Sequence, residues 1–369
     1  MIYVFYTALV LCSVYILIQA AYLVLLARYK RQDFVPLAEY PSVSILVAAR
    51  NEADNIIRCL EALDDLEYDA GKIEILIGND LSSDYTQMLA ENFIRDKPRF
   101  RLINLTGKEY PSTKGKARVL AVLAAEAKGE YLLVTDADIS VGPLWAKGLV
   151  SQMVHNKCHM AGGTTNIVAD TMFDKFQHVD WLYFMGIINT FSSIKQPLTV
   201  VGNNMGFSKQ AYLETGGYQN IPFSITEDYA LFKALLDRGH CISQSMNPET
   251  LVYSQPLTTM KGVLKQRKRW LVGGWDLPFH YRAMIFIFGA WYIALPFMFF
   301  HNWQIALNFM IVKDIIQLFQ ILIINRHLKL DVEHPLAVLI YDLYLFVMIP
   351  LTIIYFFWPG NTTWKGRKY

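Results

Sequence analysis

Three short groupings carry residue types that can do chemistry. Asp136-Ala-Asp138 sets two carboxylates two residues apart at the end of an apolar, β-rich run. Hard oxygen ligands so placed suit Mg²⁺ or Mn²⁺ holding a diphosphate, the cation offsetting charge on a departing group. Thr226-Glu227-Asp228 opens a helical stretch, and a carboxylate there can act as general base toward a hydroxyl. Gln266-Arg-Lys-Arg-Trp270 offers the Arg269 guanidinium to neutralise phosphate, the Trp270 indole to stack on a ring and the Gln266 amide as a donor. Taken singly, each has an ordinary explanation: a surface turn, a helix N-cap with acidic first-turn residues, and a juxtamembrane basic cluster that binds anionic lipid.

What must position these groups is an alternation of apolar runs and helical patterns. Residues 42–49 form a β-rich run that ends in Arg50-Asn51-Glu52, and a helical pattern follows through Leu60, Leu63 and Leu66. Residues 73–77 form a second run, ending in Gly78-Asn79-Asp80. After another helical stretch come a run over 100–105, a helix over 117–127 and a strand over 131–134 that leads into Asp136 and Asp138. Strands alternating with helices predict a parallel sheet with helices on both faces. Ligands of such sheets sit at the carboxyl ends of the strands, where Glu52, Asp80, Asp136 and Asp138 all fall.

Other nucleotide-binding and catalytic patterns are absent. Gly115-Lys116 lacks the glycine five positions earlier that a Walker A loop needs, Tyr110 standing there. No glycine fingerprint follows the first strand and no Gly-x-Ser-x-Gly elbow occurs. A net charge of +2 gives no global basic field, and no basic stripe with interleaved aromatics supports nucleic-acid binding. Cys12, Cys59, Cys158 and Cys241 show no metal-ligand or redox spacing, so neither a disulfide scaffold nor a structural zinc site is expected, and a reducing compartment is.

Apolar residues make up 53% of the 369-residue chain and charged residues 18%, and the apolar excess concentrates at the two ends. Residues 2–27 are nearly all apolar, Gln19 being the main exception, and Arg28, Lys30 and Arg31 follow. Charge after the apolar run is the reverse of a cleavable signal, so a retained anchor is expected, with its basic end and the central domain in the cytosol. A second apolar zone, 283–325, divides at His301-Asn302-Trp303-Gln304, and a third, 336–358, contains Pro350. Arg326, His327 and Lys329 suit a cytosolic loop between the last two segments. Three crossings there would put Lys365, Arg367 and Lys368 outside, against the charge rule, so either the last segment is re-entrant or interfacial or one segment does not span. Lys313, Asp314 and Asp342 inside the apolar zones read equally as a polar packing face or as functional groups.

Taken together and in this order, these residues resemble the family 2 glycosyltransferases. The resemblance is closest to the membrane-integrated branch that includes polysaccharide synthases and ceramide and other lipid glucosyltransferases. It covers about residues 41–275. Val47-Ala-Ala-Arg-Asn-Glu52 matches the first-strand motif, and Asn79-Asp80-Leu-Ser-Ser-Asp84 the second acidic motif, with Asn79 and Leu81 departing from its usual paired aspartates and glycine. Lys114-Gly-Lys116-Ala117, the run from Gly129 to Asp138, Gly202-Asn-Asn-Met-Gly-Phe207 through Gly216-Gly217-Tyr218, Thr226-Glu-Asp228 and Gln266-x-x-Arg269-Trp270 complete it. The ending Trp364-Lys-Gly-Arg-Lys-Tyr369 is similar to the tail of some small bacterial lipid glycosyltransferases.

The resemblance implies an α/β fold: a GT-A (Rossmann-like, mostly parallel sheet) cytosolic domain flanked by transmembrane helices. It implies an inverting transfer from a nucleotide sugar, UDP being the family's commonest carrier. Asp228 would be the base, Asp138 the ligand of Mn²⁺ or Mg²⁺, and Asp136 a group near the ribose or diphosphate. Glu52, Asp80 and Lys116 would hold the nucleoside; Glu227 lies in the base motif; Gln266, Arg269 and Trp270 would close over diphosphate and acceptor. The expected organisation is an anchor (1–27), the GT-A domain (40–260), a juxtamembrane segment (261–282), membrane or interfacial helices (283–358) and a basic tail (359–369). The acceptor expected is a lipid or lipid-linked group, or a growing glycan, at the cytosolic face of a bacterial inner membrane. The rivals are a processive polysaccharide synthase and a non-catalytic membrane interaction or transport component.

Overall fold

The computed structural model describes residues 2–331, 335–359, 363–364 and 367–368. The elements in chain order are α1 (Ile2–Ala27), β1 (Val43–Ala49), α2 (Ile56–Asp64), β2 (Ile73–Asn79), α3 (Thr86–Ile94), β3 (Phe100–Asn104) and α4 (Gly115–Glu126). Next come β4 (Tyr131–Asp136), β5 (Ile139–Val141), α5 (Trp145–Asn156), β6 (Met160–Gly162), β7 (Thr164–Ile167), α6 (Met172–Ser193), β8 (Asn204–Ser208), α7 (Lys209–Glu214) and α8 (Glu227–Leu236). The chain continues through β9 (Ile242–Gln244), β10 (Leu251–Ser254), α9 (Met260–Gly273), α10 (Phe279–His301), α11 (Trp303–Leu328) and α12 (Pro335–Phe357).

The β-rich runs read from the sequence are β1 to β4, and they form the parallel half of a seven-stranded sheet of order β3-β2-β1-β4-β8-β6-β9. β8 enters antiparallel between β4 and β6, which the alternating pattern alone did not predict. Central strands read as continuous apolar runs because helices cover both faces. Ile45, Val47, Ile75 and Ile77 face one core with α2 and α5, while Leu46, Leu76 and Val134 face another with α4. A smaller sheet of order β5-β10-β7 stands beside the main one.

α1, α10, α11 and α12 are each long and apolar enough to cross a membrane, and they share a core with α6 and α9. The helix boundary differs from the expected loop at Arg326 and His327: both lie in the last turn of α11, which ends at Lys329 in the left-handed conformation (φ 55°). Basic side chains suit a helix C-terminus, where the carbonyl dipoles point outward, so the charges mark a helix end and not a loop. Lys313 pairs with Asp342, tying α11 to α12, and Gln320 of α11 donates to the Gln19 carbonyl of α1 at 3.1 Å. α12 also runs beside α6 and α9: Tyr341 donates to Asp180, and Lys268 donates to the Trp358 carbonyl at 2.9 Å. Most of the basic tail lies outside the described residues.

Cys158 and Cys241 are joined in a disulfide, against the expectation from spacing. They are 83 residues apart, and only the parallel pairing of β6 with β9 makes them neighbours. Cys12 and Cys59 are free and buried.

Candidate active site

The parallel register decides where the acidic groups fall. Ala49 is level with Asn79 across β1 and β2, and Ala48 is level with Asp136 across β1 and β4. Adjacent strands lie about 4.8 Å apart, so the loops bearing Glu52, Asp80 and Asp136 leave one edge of the sheet side by side. Glu52 and Asp80 are buried. Their loops are stitched together: Asp80 N–H donates to the Ala49 carbonyl (2.9 Å), the Arg50 guanidinium donates to the Asp80 carbonyl, and Ala53 N–H donates to Asp84 (3.0 Å). Leu81 takes φ 56°, a left-handed conformation that costs a leucine and suits the glycine the motif usually carries.

Lys116 stands at the centre of the next group. Its Nζ lies 2.6 Å from Asp136 Oδ1 and 3.1 Å from Glu227 Oε1, and donates to the Gly202 carbonyl at 3.1 Å. One cation therefore joins the end of β4, the start of α8 and the loop before β8. Lys116 was expected at the nucleoside; its partners are the acidic motif and the base motif.

Asp228 is fixed by backbone donors from two different segments. Thr226 precedes the helix but makes no side-chain cap bond. Asp228 Oδ2 accepts from Gly202 N–H and Oδ1 from Tyr229 N–H, each at 2.8 Å. A Cβ at position 202 would lie 3.0 Å from Asp228 Oδ2, so glycine lets the carboxylate lie against the backbone. Burial, then the neighbouring Glu227 charge, push the Asp228 carboxyl up to about 6, while Lys116 and the two N–H donors act in the other direction. Asp138 is likewise raised to about 6, by burial and then by Asp136.

A polar bed of Thr135, Thr165 and Trp145 supports the Gly202 loop. Thr135 Oγ1 donates to the Asn203 carbonyl (3.0 Å), Thr165 Oγ1 to Asn203 Oδ1 (2.8 Å) and Trp145 Nε1 to Asn204 Oδ1 (2.9 Å). The run Gly202-Asn-Asn was the available signal, since two adjacent asparagines at a strand start need several partners to be buried.

Thr259 caps α9, its hydroxyl accepting from Gly262 N–H at 3.1 Å. Gln266, Arg269 and Trp270 then share one flank of the helix by their i, i+3, i+4 spacing. Trp270 packs edge-on to Trp181 (5.5 Å between ring centres) and stacks with Phe184 (6.2 Å). Arg269 has no ion-pair partner among the described residues, whereas Arg267 pairs with Asp180. The end of α9 rests on the base motif: a Cβ at Gly273 would come 2.6 Å from Thr226 Oγ1, and Tyr229 Oη donates to the Asp276 carbonyl at 3.2 Å. Gly273→Ala should therefore push α9 off α8. A misplacement of about 1 Å near reacting groups costs on the order of 10²-fold, so turnover should fall steeply, and Thr226→Ala in the same chain should restore part of it. Steady-state rates of the two variants check this.

Two carboxylates, Asp136 and Asp138, are the chain's contribution to any cation here; among the described residues no group of three or more His, Cys, Asp or Glu could hold one. That fits Mg²⁺ or Mn²⁺, which take one or two carboxylates and complete their shell with substrate phosphates and water. The raised Asp138 carboxyl fits too, since a cation would relieve the repulsion that raises it.

The model of a family described as glycosyl transferase family 21 matches residues 5–369. The probable glycosyltransferase YdaM of Bacillus subtilis is 25% identical over 256 residues, spanning 68% of this chain and 59% of that protein. A poly-beta-1,6-N-acetyl-D-glucosamine synthase of Staphylococcus aureus is 26% identical over 250 residues, 67% of this chain and 58% of that one. The match thus spans under two thirds of the length of these relatives. Among solved structures, the mannosyltransferase PcManGT from Pyrobaculum calidifontis, in complex with GDP-Man and Mn2+, superposes with a TM-score of 0.60 at 13% identity and covers 97% of both chains. That likeness is one of fold, and it bears out the expected GT-A arrangement flanked by membrane-length helices.

Proposed function

The chain belongs to glycosyl transferase family 21, and from that premise we propose that it is an inverting glycosyltransferase moving a sugar from a nucleotide-sugar donor to a lipid or lipid-linked acceptor at the cytosolic face of a membrane. The observation that carries this is the carboxylate of Asp228, fixed by two N–H donors beside the Lys116 bridge to Asp136. A fixed, partly desolvated carboxylate next to a diphosphate-binding acidic pair is what single in-line displacement requires. Asp228 takes the acceptor hydroxyl proton as that oxygen bonds the anomeric carbon; the bond from that carbon to the diphosphate breaks, and the diphosphate keeps the electron pair. Glu52 and Asp80 hold the nucleoside. Gln266 and the unpaired Arg269 contact the diphosphate, and Trp270 stacks on the sugar or acceptor. Asp138, with Asp136, would hold a divalent cation, which when bound neutralises phosphate charge. The Mn2+ and GDP-Man of the solved mannosyltransferase support a cation and a nucleotide-sugar donor here as well.

Orientation rests on the basic ends. Arg31 donates to the His327 carbonyl at 3.0 Å, which gathers Arg28, Lys30, Arg31, Arg326 and Lys329 where α1 and α11 end. The charge rule favours the cytosol for that edge. The contacts of α12 with α6 and α9 support an interfacial last helix, and with that placement the basic tail would stay on the cytosolic side. A second reading, processive polysaccharide synthesis, draws support from the Staphylococcus aureus relative.

The test is nucleoside diphosphate release by the purified full chain in native-lipid extract. UDP-glucose, UDP-N-acetylglucosamine, UDP-galactose and GDP-mannose are each offered with Mn²⁺ or Mg²⁺, with and without chelator. One donor should turn over, stop on chelation and send label into the lipid phase. A ladder of long products would favour the processive reading, and no turnover or binding of any donor would overturn both.

A further inference from the structure

Arg267 lies between Gln266 and Arg269 in sequence but faces elsewhere. One residue advances a helix by about 100°, so its side chain leaves α9 nearly opposite Arg269, two residues on, and beside Trp270, three residues on. There it is buried and paired with Asp180 of α6. Tyr341 of α12 donates to the other Asp180 oxygen. Tyr344, also of α12, lies under the Arg267 guanidinium, 5.6 Å from its carbon to the ring centre, and Phe176 of α6 stacks on Tyr344 at 4.7 Å. Immediately after Asp180, Trp181 meets Trp270, and Phe184 stacks on the same indole one turn later. α6 therefore grips α9 at two neighbouring positions one turn apart, by charge at Arg267 and by ring contact at Trp270, with α12 backing the charged contact.

We propose that Asp180 is a positioning residue: through its ion pair with Arg267, backed by Tyr341 and Tyr344, it sets the rotation of α9 that aims Arg269 and its neighbours at the donor diphosphate. The idea rests on the reading of Arg269 as a diphosphate contact. A helix held by ring packing alone can roll, because aromatic contacts tolerate a range of angles. A guanidinium buried against a carboxylate tolerates less, because its fork geometry is directional and little water reaches it to replace the partner. The apolar helix α12 thus bears on the site through the Asp180–Arg267 pair.

The test is a double-mutant cycle in the full chain, in native-lipid extract, with whichever of the four donors turns over. Asp180→Asn should lower kcat/KM by roughly 10²-fold, the scale of a small misplacement at a reacting centre. In an Arg269→Ala background the same change should cost about threefold or less, because the group it aims is already gone. Asp180→Asn should also weaken inhibition by the donor's nucleoside diphosphate while leaving inhibition by the monophosphate unchanged. Asp180→Glu keeps the charge and the fold, and should show the same pattern at smaller size. Equal losses in both backgrounds, or equal weakening of diphosphate and monophosphate, would make the pair a mere brace and overturn the proposal. Full activity of Arg269→Ala alone would instead sink the diphosphate reading of Arg269 on which it rests.

Discussion

An Asp228→Asn variant should lose glycosyl transfer by about 10³-fold, within the range that general base catalysis supplies, yet bind its donor almost as the parent does. The amide cannot accept the acceptor's proton. Glu52, Asp80 and Asp136, which lie on other loops of the sheet edge, are untouched, so the donor dissociation constant should move little. The same carboxylate predicts the pH profile. Its pKa is raised to about 6, by burial and then by the Glu227 charge, and the base works only when ionised. Activity of the parent should therefore be full above that value and fall as pH drops through it. Turnover retained in Asp228→Asn would sink the assignment.

Lys116→Met should be the second most damaging change, and for an electrostatic reason. Asp136 and Glu227 lose the cation between them, and the Gly202 carbonyl loses a donor. Breaking a buried ion pair by removing one partner costs about 3–5 kcal/mol, so the melting temperature should fall clearly. Lys116 also helps keep Asp228 ionised. In whatever protein folds, the acid limb of the pH profile should move upward, whereas Asp228→Asn has no limb left to move. A Lys116→Met chain with unchanged stability and an unchanged profile would show that the bridge is idle.

The half of the sheet that positions Glu52, Asp80 and Asp136 was legible because its strands are short apolar runs, and β1, β2 and β4 each lead into an acid. Where strands shorten to three residues, as in β5, β6 and β9, the period is too brief to register. The antiparallel entry of β8 is likewise set by partners far away in the chain. Asp228 could be found from its motif, but its two N–H donors could not, since Gly202 meets it only through the fold. The companions of Lys116 were not legible: its chain position says that α4 begins there, not that its cation lies between β4 and α8. Asp180 carried no signal, being one acid in a helix whose visible feature is a capping box at Thr171 and Asp174. The disulfide was invisible for the same reason, two cysteines 83 residues apart.

The link between Gln19 and Gln320 sets an order of assembly. α1 carries a buried amide whose partner on α11 is 301 residues further on. At synthesis rates of about 5–20 residues per second, Gln19 waits roughly 8–33 s for Tyr183 of α6, 164 residues on, and roughly 15–60 s for Gln320 of α11. Tyr29, whose hydroxyl accepts from Met246 N–H at 2.9 Å, waits nearly as long for the catalytic domain. The sheet can mature meanwhile, because its strands are finished before α10 begins. The membrane bundle closes last, around a domain already built, so a truncation before α11 should leave a folded sheet with α1 packed on α10 but without its α11 partner.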